Sequence, residues 1–229
     1  MPDHELPEQL LMDVATPPRP ARGRDAFHVS GSNAMALALV DGWRDWPNGQ
    51  FALHGPAGAG KTHLAHVWMD MSDAEKIHAE NLTADDAPAL AAIGAVVIEG
   101  GDQVAGRAKA ETALFHMLNL ARAEGCAVLL TGRTPPARWP VELPDLASRL
   151  SAVPAAELEE PDEALMTALL TKQFADRQLK VGQDVIGFLA LRLPRVATEI
   201  AAVVETLDKS ALAENRRITV PFVKAITGL

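Results

Sequence analysis

The stretch HGPAGAGKTHL, residues 54–64, constrains the fold more than any other part of the chain. It fits G-x-x-x-x-G-K-[ST] through Gly55, Gly60, Lys61 and Thr62, with the apolar run Phe51, Ala52, Leu53 leading in and a helix-like pattern leading out. Gly55, Gly58 and Gly60 leave successive peptide N–H groups free to turn toward one point, and the N-terminus of the following helix adds its partial positive charge. Lys61 supplies a point charge for β- and γ-phosphates, and the Thr62 hydroxyl a ligand for Mg²⁺. A strand before and a helix after separate this motif from a glycine-rich turn that binds nothing. The expected nucleotide-binding set is therefore Gly55, Ala57, Gly58, Ala59, Gly60, Lys61, Thr62 and His63, for ADP or ATP with Mg²⁺. His63 and His66 share the helix, but no third ligand accompanies them, so they read as helix histidines rather than a metal pair.

The rest of residues 27–158 alternates apolar runs with helical patterns. Strands are predicted around 76–80 (EKIHAEN), 94–99 (GAVVIEGG), 126–132 (CAVLLTG) and, more weakly, 151–158 (SAVPAAEL), with helices over 62–71 and 107–124. Strands alternating with helices predict an α/β domain, a parallel sheet with right-handed crossovers and helices on both faces. Residues 159–229 change character and predict a small all-α lid domain of three or four helices. Ile200, Val203, Val204, Leu207 and Ala211 form one apolar helical face, and Thr219 with Pro221 caps a short closing helix. Residues 1–26 are rich in proline and charge and lack sustained periodicity, so they read as an extended arm.

Composition narrows the function. Thirty Asp and Glu against 21 Lys and Arg leave a net charge of -9. Phosphate neutralisation supplies most duplex-binding affinity, so no strong direct DNA binding is expected. The single cysteine, Cys126, excludes an internal disulfide and any multi-cysteine metal site, and its apolar surroundings read as core. No apolar stretch approaches the roughly 20 residues of a membrane span, and the acidic N-terminus is no signal peptide, so a cytoplasmic protein without membrane contact is expected.

A phosphate loop of this type needs an acidic residue at the end of a neighbouring strand. VVIEGGDQ is that place: Glu99 follows four apolar residues and takes the metal-side position, alongside Thr62. Gly100 follows where a second acid would orient the attacking water. Asp102 compensates only if its loop turns inward.

The phosphate loop, the FHMLNLARAEG helix, LLTGRTPP, LPDLASRL and the closing RRITVPFVKAI together resemble the DnaA branch of the AAA+ ATPases. The resemblance covers residues 7–229 and is nearest to DnaA-related regulators that inactivate the replication initiator. It implies an AAA+ module with a lid, ADP as the stably held nucleotide, and DnaA as partner. It gives the arm a purpose, because QLLMDV is similar to a motif binding the DNA polymerase III sliding clamp (its beta subunit). Gln9, Leu10, Met12 and Val14 match that motif in type; a short extended segment of this kind docks apolar side chains in a surface pocket. By residue type alone these positions read equally as apolar residues folded onto the core.

Arg149 in LASRL resembles an arginine finger acting in trans, although a solitary Arg at a helix end is more often a solvated charge or a surface salt bridge. Three departures count against autonomous hydrolysis: Gly100 in place of a polar or acidic residue, Arg133 at the sensor 1 position, and Thr198 at the sensor 2 position, with Arg195 three residues earlier as a substitute. The implied function is an ADP-bound, clamp-tethered regulator that stimulates ATP hydrolysis by DnaA. The alternative is an autonomous ATPase such as a DnaC-like helicase loader. The sequence leaves the oligomeric state open, a homo-oligomer included.

Overall fold

The structure, a computed structural model, describes residues 27–229, with the side chains of Ala197 and Thr198 excepted. Five strands, β1 (Gln50–His54), β2 (Glu75–His78), β3 (Ala95–Glu99), β4 (Ala127–Gly132) and β5 (Ala155–Glu157), form one sheet in the order β2-β3-β4-β1-β5. Every pairing is parallel. Strands in such a sheet are covered on both faces, and AVVIE of β3 and AVLLTG of β4 are buried along their lengths and apolar save for Glu99 and Thr131 near their ends.

The pleat sends alternate side chains to two different cores. Ala52, Val96, Ile98, Val128 and Leu130 meet α3 (Ala87–Ile93), α4 (Ala108–Glu124) and α5 (Pro144–Ser151) on one face. Phe51, Leu53, Val97 and Leu129 meet α1 (Ala34–Asp41) and α2 (Lys61–Ser72) on the other. Trp68 of α2 is fully buried and stacks on Trp46 at 5.2 Å, and Trp46 stacks on Phe51 of β1 at 5.0 Å. Such ring contacts fix the helix behind the phosphate loop against the strand in front of it.

Four more helices follow the sheet: α6 (Glu163–Asp176), α7 (Gln183–Ala190), α8 (Ala197–Glu214) and α9 (Val220–Thr227). They enclose a separate core built on Met166, Phe174, Ile186, Leu207 and Phe222. On α8, Ile200, Val204, Leu207 and Ala211 are buried and Val203 is partly so, as the periodicity predicts. Thr219 caps α9 by accepting the Phe222 N–H at 3.4 Å, and Pro221 sits in the first turn, where its missing N–H costs nothing.

Two strands are shorter than the sequence suggests. β2 stops at His78, and a 3₁₀ turn takes Ala79–Asn81. β5 is confined to Ala155–Glu157 because α5 runs on to Ser151 and Pro154 has no N–H to give; its carbonyl accepts the Ala52 N–H instead, at 3.0 Å.

The segment before α1 and the junction before α6 are tied together. Asp162 caps α6 by accepting the Leu165 N–H at 2.7 Å. The same carboxylate takes hydrogen bonds from Ser30 and Ser32, which with its helix cap hold it below the usual carboxylate range despite some burial. The Glu159 N–H donates to the Ser32 carbonyl at 3.2 Å.

Candidate functional site

β1 ends at His54 and the chain turns through Gly55–Gly60 into α2. Gly60 stands at φ 95° as the residue before the helix, so the first N–H groups of α2 open onto the loop rather than onto a capping side chain. Ala59 turns its methyl group into the core while Ala57 stays exposed. Lys61, first residue of α2, folds back so that its ammonium donates to the carbonyls of Gly55 at 2.7 Å and Pro56 at 2.6 Å. Burial lowers the affinity of Lys61 for its proton; the charge of Asp102 opposes this and that of Arg133 adds to it. Asp102 and Arg133 therefore belong to the electrostatic surroundings of the phosphate loop.

The loop after β3 does turn inward. Asp102 Oδ2 accepts the backbone N–H of Arg133 at 3.1 Å, at the tip of β4. Glu99 ends β3 with its carboxylate buried. Glu99 Oε2 faces two side chains of β2, the Lys76 ammonium at 3.5 Å and the His78 ring nitrogen Nδ1 at 3.8 Å. Its other oxygen, Oε1, is buried without a hydrogen-bond partner. An orphaned carboxylate oxygen at the end of this strand is chemically suited to a divalent cation. Among the described residues no group of three or more His, Cys, Asp or Glu could hold a metal ion, so a cation here would draw on Thr62, Glu99 and phosphate oxygens.

His63 is drawn toward the segment before α1 and toward α6. Its ring meets Phe27 edge-on at 5.2 Å. Burial lowers its pKa, and His66, Lys172 and His28 add to that. The helical lid also touches the loop directly. Val196, just before α8, lies so close to Gly58 that a methyl group there would come within 2.8 Å of Val196 Cγ1 and 2.9 Å of its Cα. Arg195 is engaged elsewhere: its Nη1 donates to the carbonyl of Pro161 at 2.8 Å, at the junction before α6. Thr198 opens the first turn of α8, and its side chain is not described.

Arg149 sits near the end of α5, half-buried. Its Nη2 donates to the side-chain carbonyl of Asn119 on α4, and among the described residues no carboxylate pairs with it. The positive charge is held in place by a neutral group and stays uncompensated.

Sequence reasoning missed three supporting residues. Glu111 on α4 is 1% exposed and accepts the N–H groups of Gly106 at 2.8 Å, Glu142 at 2.9 Å and Leu143 at 2.8 Å, which fixes the approach to α5. Asn119 lies two turns further along α4. Trp139 covers the ends of β3 and β4 and donates from Nε1 to the Thr134 carbonyl at 2.8 Å. An acid in the first turn of α4 was the one available signal, because carboxylates favour helix starts for a local reason as well. Gln9, Leu10, Met12 and Val14 lie outside the described residues. No helix among the described residues is long and apolar enough to cross a membrane.

A parallel sheet with β4 between β1 and β3, a glycine-rich loop after β1, an acid ending β3 and a helical lid touching the loop make up the AAA+ fold. Solved structures show the same architecture. Domain III of the Thermotoga maritima replication initiation protein DnaA superposes with a TM-score of 0.75 at 17% identity, covering 88% of this chain and 93% of that one. AMPPCP-bound DnaA from Aquifex aeolicus gives 0.71 at 15% identity, covering 86% and 68%. The Thermotoga maritima RuvB Holliday junction branch migration motor gives 0.71 at 15% identity, covering 91% and 72%. Residues 162–227 match the family described as "Hda, lid domain". The family match lies in the helical domain alone, and the solved structures show that the whole described chain shares their fold.

Proposed function

We propose that this DnaA-related replication regulator holds ADP in the loop Gly55–Thr62 and stimulates hydrolysis of ATP bound by DnaA, using Arg149 as a finger and residues of the N-terminal arm as a tether to the sliding clamp. One observation carries the reading: the Arg149 guanidinium is positioned by the neutral Asn119 and has no acidic partner among the described residues. A charge kept uncompensated at a domain surface is available to a second protein's phosphates, where a finger supplied in trans is worth about 10³–10⁵ in rate. The Hda lid match supports DnaA as the partner, and the AMPPCP-bound relative supports nucleotide binding.

In the chain's own site, backbone N–H groups of the loop and the Lys61 ammonium bind phosphate oxygens, exchanging the carbonyls of Gly55 and Pro56 for them. Thr62 and Glu99 would hold Mg²⁺, which when bound neutralises phosphate charge. The contact of Val196 with Gly58 links the lid to the same loop, so a bound nucleotide braces lid and sheet together. An autonomous ATPase of the helicase-loader type would need an acid to orient water; Gly100 supplies none, and the inward-turned Asp102 spends one carboxylate oxygen on the Arg133 N–H.

The test is single-turnover hydrolysis of ATP bound to purified DnaA, with and without this chain and with and without DNA-loaded clamp. Stimulation that requires both the chain and the clamp, and that disappears in Arg149→Ala, is the expected outcome. Hydrolysis by the chain alone at the same rate, with no effect on DnaA, would replace this reading with the autonomous one.

A further inference from the structure

The loop after β3 carries a carboxylate that this reading leaves without a task. Gly100 stands at φ 68° and donates its N–H to Thr131 Oγ1 at 3.1 Å, which turns the chain back across the end of β4. Gly101 lies beneath Trp139, where a methyl group would meet the ring at 2.3 Å, so only a bare backbone passes under the indole. The 3₁₀ turn Gly101–Val104 that results carries Asp102 to the N–H of Arg133. Arg133 follows Gly132, and Gly132 is the register partner of His54, the residue immediately before the phosphate loop. The Arg133 N–H and the pairing of Gly132 with His54 thus place Asp102 at the mouth of the loop.

We propose that Asp102 sets the preference of the site for a nucleoside diphosphate over a triphosphate, by placing a fixed negative charge where a terminal phosphate would stand. Lys61 of this motif addresses the β- and γ-phosphates, and Asp102 stands at the tip of β4, beside the strand that feeds the loop. A γ-phosphate brings further negative charge into that space, and like charges a few ångströms apart repel strongly when water is partly excluded. Asp102 cannot swing aside without giving up the Arg133 N–H. The β-phosphate, deeper among the loop's own N–H donors, is less affected. The proposal rests on nucleotide binding at Gly55–Thr62 and names the residue that selects the ligand there.

The experiment is calorimetric titration of the full chain with ADP and with ATP, each with Mg²⁺ and with EDTA. The parent binds ADP about tenfold more tightly than ATP in EDTA, and added salt narrows the gap. Asp102→Asn keeps an acceptor for the Arg133 N–H and removes only the charge. It should raise ATP affinity about tenfold and leave ADP affinity within about twofold. An unchanged ADP-to-ATP ratio in Asp102→Asn overturns the proposal, as does an equal loss of both ligands, which would make Asp102 a support for the loop. A fall in MgATP affinity overturns it too, because the carboxylate would then be attracting metal. A parent that binds neither nucleotide overturns the nucleotide site itself and this proposal with it.

Discussion

The guanidinium of Arg149 on α5 is held by the side-chain carbonyl of Asn119 on α4, two residues 30 positions apart in the chain. The same α4 helix grips the start of α5 through Glu111, whose carboxylate takes the N–H groups of Glu142 and Leu143. One helix therefore sets both the path of α5 and the direction of its arginine. Asn119→Ala should cost about 1 kcal/mol of stability, the worth of one neutral-acceptor hydrogen bond. It should nonetheless reduce stimulation of DnaA-bound ATP hydrolysis by about tenfold, because a misplaced finger loses transition-state contact rather than binding. Asn119→Asp keeps the geometry and neutralises the charge, and should be as damaging as Arg149→Ala. Single-turnover rates at saturating protein check this; full rates in both Asn119 variants would make the bond incidental.

Glu111 yields a stability prediction with a definite sign. Burial pushes its carboxyl up, yet the peptide N–H groups of Glu142, Leu143 and Gly106 together outweigh that and hold it below its ordinary value of 4.5. A carboxyl whose folded pKa is depressed adds stability that is fully present above its unfolded pKa and is lost as pH falls through the folded one. The protein should weaken below about pH 4.5 partly on this account. Glu111→Gln should flatten that part of the acid limb, and Glu111→Ala, which takes the shared acceptor from three backbone N–H groups, should cost about 2–3 kcal/mol. Urea denaturation across pH checks both. An acid limb unchanged in Glu111→Gln would show that other carboxylates control it.

How much of this was legible in the sequence depends on the range of the contact. Strands β1, β3 and β4, the loop between β1 and α2, and the buried face of α8 follow from runs and periods within about 20 residues, and local pattern carries them well. The pairing of Arg149 with Asn119, of Glu111 with Glu142 and Leu143, and of Asp102 with Arg133 each spans about 30 residues and leaves no period behind. The hydrogen bond from Arg195 to the Pro161 carbonyl spans 34 residues and is equally invisible to local pattern. The inward turn of Asp102 was legible only as a condition, because it depends on Trp139 covering Gly101 from another loop.

The tether should be separable from the fold. Phe27, at the start of the described chain, is buried against the core and meets His63. Removing residues 1–14 leaves that anchor in place. The shortened chain should keep its melting temperature within about 2 °C, since less than 1 kcal/mol is at stake, and should lose affinity for the sliding clamp in surface plasmon resonance. Clamp binding at the parent's affinity would remove Gln9, Leu10, Met12 and Val14 from the interface; a large fall in melting temperature would place them on the core.

The contact between Gly58 and Val196 makes the phosphate loop report on the lid. Gly58 stands at φ 81°, which a residue with a side chain adopts at a cost of about 1 kcal/mol. A methyl group there would also press on Val196 at Cγ1 and at Cα. A shortened side chain at 196 relieves the first contact and leaves the second, because the backbone of that turn cannot be trimmed. Gly58→Ala should therefore push the turn before α8 away from the loop, and both ADP affinity and the attachment of the lid should suffer. The expected loss of ADP affinity by calorimetry is about tenfold, from backbone strain together with the displaced lid. Limited proteolysis should cut faster between β5 and α6, where the Pro161 carbonyl and Arg195 hold the junction. Val196→Ala on the Gly58→Ala background should recover part of the affinity, since one of the two contacts is gone. Lys61→Ala serves as the control: it should abolish ADP binding by removing the ammonium from the phosphates, while leaving the Gly58–Val196 contact and the proteolysis rate of the unliganded chain unchanged. Equal proteolysis of the parent and Gly58→Ala would mean that the lid is held by contacts other than this one.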